Sequence, residues 1–349
     1  MKNILFEPAN QLIKNIKNKT YSVEQVVQAH LEQIEQYNPT INAVTDMYSK
    51  EAILQEAKQK DLMLQQGQDL GPLYGLPMTI KDSYQVKGLI TSNGVPYLKN
   101  NRVPKDAALV QRLRKAGAVI MGKTNLPLFA IDWQSTNKWF GQTNNPYDLN
   151  RVVGGSSGGS SAALASGFTA LEMGSDAGGS IRVPAHFCGV CGLRPTEGAL
   201  TGRGHLEAPG QVRSIRYITS CGPLARNTDD LLLAMEVLWD KKSSYAEIAP
   251  VDFYRSSWDN QQPLKIAYSN TLGDIELDSQ YKVVYDQFIN KLKQSTHLLK
   301  EDKPSYNSDE CIDLWGSVVG FDFGANMPNL VPFKKFLARL FIYSKSLVL

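Results

Sequence analysis

The chain has 349 residues, is 42% hydrophobic and 20% charged, and carries a formal net charge of +3 with its basic residues scattered. That is the composition of a globular protein of one large or two ordinary domains, and it gives no electrostatic case for a nucleic-acid or membrane-surface partner. Four cysteines are too few for a disulfide framework, no stretch reaches the roughly 18 apolar residues of a membrane span, and Glu7, Pro8, Asn10 and Lys14 interrupt the apolar core an export signal needs, so a cytoplasmic protein is expected.

Ser22 and Gln25 have the spacing of a capping box and open a helix that is predicted to run to about Tyr37, before Pro39. A second helix is expected over residues 49–66, stopped by Gly67. After the Gly71-Pro72-Leu73-Tyr74-Gly75 turn, the apolar run 76–80 reads as a buried strand with Lys81 at its carboxyl end, where open α/β sheets bind ligands. Asp106 is expected to cap a helix carrying Ala107, Leu109, Val110 and Leu113, with Gly117 ending it and a strand following over 118–121. Residues 161–165 read as helix with Gly167 as its stop, and 169–173 as the next strand. Thr228, with Asp229 and Asp230 in the first turn, opens a helix to about Trp239. Residues 241–263 are polar and irregular, 264–268 read as a strand, and Val284, Phe288 and Leu292 mark an amphipathic helix. Helices alternating with short buried strands predict the α/β class with a mostly parallel or mixed sheet.

The chemistry concentrates in two glycine-serine clusters at element junctions. The first is Gly154-Gly155-Ser156-Ser157-Gly158-Gly159-Ser160, the second Ser175-Asp176-Ala177-Gly178-Gly179-Ser180-Ile181-Arg182. They offer a nucleophile, a second hydroxyl and a run of backbone donors. Serine needs a base within reach, and none of the four histidines, His30, His186, His205 and His297, pairs with a serine in sequence. A lysine can serve if burial keeps it neutral. Lys81, following Pro77, Met78, Thr79 and Ile80, is the candidate; a surface lysine laid along the sheet edge is the competing reading of that position. Acyl transfer places negative charge on a carbonyl oxygen, and each backbone donor aimed at it is worth about 3 kcal/mol. The glycines at 178 and 179 let consecutive amides turn inward.

These clusters, with Gly75-Leu76-Pro77 through Lys81-Asp82, Gly122-Lys123-Thr124-Asn125, Phe140-Gly141 through Asn145-Pro146-Tyr147-Asp148, Phe187-Cys188-Gly189-Val190, Gly192-Leu193-Arg194-Pro195-Thr196 and Gly222-Pro223-Leu224-Ala225-Arg226, closely resemble the amidase signature family. The resemblance is strong from about residue 70 to 240 and weaker outside. It implies one amidase domain over 1–349, a central mixed, twisted sheet covered by helices on both faces, and a Ser–cis-Ser–Lys triad. Ser180 would be the nucleophile, Ser156 the bridging serine after a cis peptide, and Lys81 the base. Backbone amides of Ala177, Gly178, Gly179 and Ser180 would form the oxyanion hole, with Ser157, Asp176 and Arg182 supporting the loops. The implied activity is hydrolysis of a small-molecule carboxylic amide without metal or organic cofactor, in a cytoplasmic protein with no direct nucleic-acid or membrane partner; a homodimer is compatible with this reading.

Other patterns are weaker. Ser157 sits centrally in a G-x-S-x-G match, but no HGGG-type element precedes it. Ser135-Thr136-Asn137-Lys138 matches S-x-x-K without the accompanying S-D-N and K-T-G elements. Cys188 and Cys191 have C-x-x-C spacing, yet Cys221 and Cys311 are isolated, so buried core thiols are expected, with His186 a satisfied interior histidine. The loops lack a G-K-[ST] ending, which argues against ATP. Within the family, the stretch Gly204-His205-Leu206-Glu207 through Cys221-Gly222-Pro223, and Leu128 before Phe129-Ala130, depart from the glutaminase component of glutamyl-tRNA amidotransferase, its A chain. A free-standing amidase is favoured over that glutaminase. The third reading is a C-terminally shortened, inactive or non-enzymatic member, with residues 241–349 poorly matched and the pocket incomplete.

Overall fold

Ser22 and Gln25 exchange both hydrogen bonds of the capping box. Gln25 N donates to Ser22 Oγ at 3.0 Å, and Ser22 N to Gln25 Oε1 at 2.9 Å. In the computed structural model, which describes residues 2–68, 71–206, 218–239, 263–272, 275–295, 297–303 and 305–326, this helix follows α1 (Lys2–Phe6) and α2 (Ala9–Lys17) and is α3 (Val23–Ile41). It runs through Pro39, past the predicted stop at Tyr37. Pro39 lies in the final turn, where it forgoes one helical hydrogen bond only. The true end is Asn42, at φ 53°, whose N–H reaches Asn38 O at 2.7 Å.

β1 (Val44–Met47) leads to α4 (Lys50–Gln65), which Ser49 caps from just outside and which ends at Gly67, at φ +71°, as expected. β2 (Pro77–Lys81), α5 (Ala108–Lys115) and β3 (Val119–Thr124) follow. Asp106 does not cap α5: Ala107 occupies that position without a side-chain bond. The Asp106 carboxylate instead accepts from Lys87 N at 2.7 Å and Arg114 Nε at 3.1 Å, tying the preceding loop to the helix. A small hairpin, β4 (Thr136–Asn137) and β5 (Gly141–Gln142), precedes α6 (Gly158–Ala165), β6 (Leu171–Asp176), α7 (Arg182–Phe187), β7 (Cys191–Gly192), β8 (Ser220–Ala225) and α8 (Thr228–Leu238). Asn227 is the cap of α8, through Asp230 N.

The main sheet has the order β1-β3-β2-β6-β8-β7. β2 is parallel to both β3 and β6; β1, β8 and β7 pair antiparallel, so the sheet is mixed. Every residue of β2, β3, β6 and β8 is buried. Side chains alternate between faces, so this burial means that helices cover both. Leu12, Ile16, Val23 and Val27 of the N-terminal helices share one core with Leu76, Met78, Ile80 and Val119 to Met121 of the central strands.

The chain forms two compact units, Met1–Phe253 and Tyr254–Leu349. In the second, β9 (Lys265–Tyr268) pairs in parallel with β12 (Leu298–Glu301), β10 (Thr271–Leu272) and β11 (Ile275–Glu276) form a hairpin, and α9 (Ser279–Lys293) and α10 (Ser308–Asn326) are its helices. The predicted stripe on α9 is not a buried face: Val284 and Phe288 are exposed, Leu292 is half-buried, and the helix buries Ile289. Periodicity marked the helix but not what covers it. The irregular segment expected over 241–263 lies almost wholly outside the described residues. Among the described residues no helix is long and apolar enough to cross a membrane.

Asp230 ties the start of the chain to α8. Its carboxylate, almost fully buried, accepts from Ala9 N at 2.8 Å and Asn10 N at 2.9 Å, the first amides of α2. Asp230→Ala leaves these donors without a partner, and unfolding in urea should show a loss of about 2 kcal/mol. An unchanged midpoint would show that α2 is held by packing alone.

Candidate active site

β2 lies between two parallel neighbours and ends at Lys81, so its last side chain emerges at the carboxyl edge of the sheet. Lys81 is fully buried, which removes the surface reading. Its Nζ donates to Ser156 Oγ at 2.7 Å, Ser157 Oγ at 2.9 Å and Ser175 Oγ at 3.1 Å. These partners are neutral hydroxyls. Among the described residues no carboxylate oxygen lies within hydrogen-bond distance of Nζ. Burial therefore pushes the amine down to about 7, only partly opposed by Asp176, Cys221 and Glu172 nearby.

Lys123 on β3 is equally buried but differently partnered. Its Nζ is 3.3 Å from Asp82 Oδ1 and donates to Tyr84 O at 2.5 Å. Burial lowers its pKa while Asp82 raises it; burial in turn raises Asp82, against Lys123 and hydrogen bonds from Ser92. Two buried lysines on adjacent strands thus divide into an ion-paired one that anchors the loop after β2 and one held in hydroxyls. Asp82→Asn strands the Lys123 charge and should cost about 3–5 kcal/mol in denaturant unfolding. A loss below about 1 kcal/mol would mean that Lys123 is already neutral there.

Ser156 and Ser157 occupy the turn that enters α6. The Gly155–Ser156 peptide is cis. Ser135 Oγ accepts from Gly158 N at 2.9 Å and donates to Ser156 O at 3.3 Å, fixing the turn. Ser180 follows β6 and is half-buried. Ser157 N donates to Ser180 O at 3.0 Å, which pins the two serine turns together. Lys81, Ser156 and Ser157 are therefore in direct contact, while Ser180 is joined to them through its backbone. Among the described residues no hydrogen bond links the Ser156 and Ser180 hydroxyls.

The turn before Ser180 is organised by Asp176. Its carboxylate, fully buried, accepts from Gly179 N at 2.8 Å, Ile181 N at 3.0 Å, Arg182 Nε at 3.0 Å and Arg182 Nη2 at 2.9 Å. Burial alone would raise its pKa, but these donors outweigh it and hold the carboxyl below its usual range. Gly179 has φ +109°, a conformation side chains rarely adopt. Its N–H is committed to Asp176, so of the four amides expected to line an oxyanion site, this one points elsewhere. Asp176 and Arg182 pair with each other as well as with the loop.

Further residues around Lys81 escape sequence reasoning. Ser175 sits within the second cluster, but its hydroxyl contact depends on where β6 lies beside β2. The Tyr84 hydroxyl donates to Gly174 O at 2.6 Å, and its ring packs at a tilt of 48° against His205, 4.5 Å between centroids. Burial, with the nearby Lys81 charge, pushes His205 down to about 3. Cys221, opposite Ser175 on β8, is buried, and burial pushes its thiol up to about 11. Glu172, buried on β6, accepts from Thr79 Oγ1 at 2.6 Å, and burial pushes it up to about 7. Cys188 is a buried free thiol as expected and Cys191 is half-buried, but His186 is exposed on α7 rather than interior. Among the described residues there is no group of three or more His, Cys, Asp or Glu placed to hold a metal.

The model of the Amidase family matches residues 25–335. The chain belongs to the Amidase family. It is 36% identical over 296 residues to the A chain of the glutamyl-tRNA(Gln) amidotransferase of Carboxydothermus hydrogenoformans, covering 84% of this chain and 60% of the relative. It is 35% identical over 291 residues to indoleacetamide hydrolase of Bradyrhizobium diazoefficiens, covering 82% and 54%. In structure it is similar to fatty acid amide hydrolase, with a TM-score of 0.82 and 26% identity over 93% of this chain and 57% of that one. The chain thus spans little more than half the length of these relatives.

Proposed function

We propose that this chain carries the reaction centre of an amidohydrolase that cleaves a small-molecule carboxylic amide to the acid and ammonia or an amine. The observation that carries the proposal is the Lys81 amine, buried without a carboxylate partner, 2.7 Å from Ser156 Oγ. Lys81 is the base, Ser156 the relay and Ser180 the nucleophile. Neutral Lys81 takes the Ser156 proton as Ser156 takes that of Ser180, and Ser180 Oγ adds to the substrate carbonyl carbon. The negative charge that develops on the carbonyl oxygen is met by backbone amides of Ala177, Gly178 and Ser180, with Gly179 turned to Asp176. Collapse breaks the C–N bond, the leaving nitrogen takes the proton back from Lys81 through Ser156, and water then releases the acyl group from Ser180 by the same relay. Ser157 holds Lys81 and the Ser180 carbonyl, and Asp176 and Arg182 hold the turn. The Ser156 and Ser180 hydroxyls close on each other when substrate is bound, as catalytic hydrogen bonds commonly tighten only in the complex. The family match, spanning residues 25–335, supports reading both compact units as one amidase domain. The setting we propose is a cytoplasmic one, with an amide as ligand and a homodimer as the assembly to test.

A second reading, the glutaminase component of a glutamyl-tRNA amidotransferase, is favoured by the identity to that protein and would use the same three residues on glutamine within a complex. Ammonia release from simple amides by the isolated chain separates the two: turnover of acetamide or an arylacetamide supports the free-standing amidase, and glutamine turnover alone supports the amidotransferase component.

Ser180→Ala should abolish turnover. Lys81→Ala and Ser156→Ala should each lower kcat by about three orders of magnitude, and the double variant should be little worse than either single, because the three act as one unit. Additive losses, measured by coupled ammonia assay, would contradict the relay. Because the base must be unprotonated, kcat/KM should climb as pH rises through about 7 and then level. A profile flat from pH 5 to 8 would exclude Lys81 as base.

A further inference from the structure

The peptide between Gly178 and Gly179 is gripped at both ends. Its N–H donates to Asp176 Oδ1 at 2.8 Å, and its carbonyl accepts from the indole Nε1–H of Trp133 at 3.1 Å. Trp133 reaches this turn from a segment far away in sequence. The same segment lies against the other serine turn. A Cβ on Gly155 would fall 2.5 Å from Asp132 O and 2.8 Å from Trp133 C; Ser135 N donates to Gly154 O at 3.2 Å, and Val153 N to Gln134 Oε1 at 3.2 Å. Residues 132–135 are thus the shared wall of the Ser156 and Ser180 turns. Trp133 is 49% exposed, so burial of apolar surface explains only part of its placement.

We propose that Trp133 is a positioning residue for the reaction, acting through its indole N–H. The inference rests on the amidohydrolase reading. With the Gly178–Gly179 plane fixed by Trp133 on one side and Asp176 on the other, the flanking N–H groups of Gly178 and Ser180 have little rotational freedom. They are presented together to a developing oxyanion. Releasing the carbonyl lets the plane swing about its two glycine pivots, which glycine permits more readily than any other residue. Preorganised donors stabilise a transition state because they need not reorient during the reaction, so a looser plane costs rate rather than substrate affinity.

The test compares Trp133→Phe, which keeps an aromatic ring and removes the donor, with Trp133→His, which keeps a ring N–H. Two readouts are taken on each soluble variant: hydrogen–deuterium exchange of the peptide spanning residues 177–181, and the rate of Ser180 modification by a fluorophosphonate. The Phe variant should exchange faster in that peptide and react about fivefold more slowly, with the concentration for half-maximal rate little changed. The His variant should recover part of both. Exchange and reaction rates in the Phe variant equal to the parent's would overturn the proposal, as would a His variant no better than Phe, since a purely packing role would not distinguish them. Failure of the parent itself to be modified at Ser180 would sink the amidohydrolase reading instead, and the exchange data would still decide whether the indole holds the turn.

Discussion

The structure depends on keeping one amine out of water without giving it a counter-ion. An ammonium in that position is costly, and the chain favours the neutral amine by surrounding Lys81 Nζ with the hydroxyls of Ser156, Ser157 and Ser175, which can donate to or accept from it. Lys123, one strand away and just as buried, shows the alternative solution: a direct carboxylate partner in Asp82. Equal burial with unequal partners gives one lysine suited to moving a proton and one suited to holding a loop.

The rest of the first unit can be read as what this arrangement demands. A lysine at the end of a strand stays out of water only if the face it points to is covered, and β2, β3, β6 and β8 are buried at every position. Three hydroxyls can converge on the amine only if the Ser156–Ser157 turn lies against the end of β6. The bond from Ser157 N to Ser180 O, the Ser135 contacts and the Asp176 carboxylate are the fastenings that bring them there. Asp176 illustrates how burial and pairing compete: desolvation would raise its pKa, yet its several donors lower it, leaving a fixed negative charge close enough to temper the shift of Lys81.

What was legible in sequence was local. The cap at Ser22 and the stops at Gly67 and Gly167 depend on the residue and its nearest neighbours, and the structure has them where spacing puts them. Local spacing assigns Pro39 and Asp106 to the ends of their own helices, whereas Pro39 falls in a last turn closed by Asn42 and Asp106 serves a neighbouring loop. His186 and the Val284–Phe288 stripe depart from expectation for a different reason, since exposure is a property of tertiary surroundings. The two Gly/Ser turns and Lys81 stood out because their residue types are unusual together. Ser175, Tyr84, His205 and Cys221 did not, because only the pairing of Ser175 with Cys221 across β6 and β8, and the bridge between Tyr84 and His205, bring them to the amine.

Everything proposed for the site turns on a neutral Lys81 activating Ser180. The most direct measurement is the pH dependence of fluorophosphonate modification, with the adduct located by peptide mapping. A single adduct should form on Ser180, faster as pH rises with a midpoint near 7, and should disappear in Lys81→Ala. An adduct elsewhere, or a rate on Ser180 that ignores pH across that range, would contradict it.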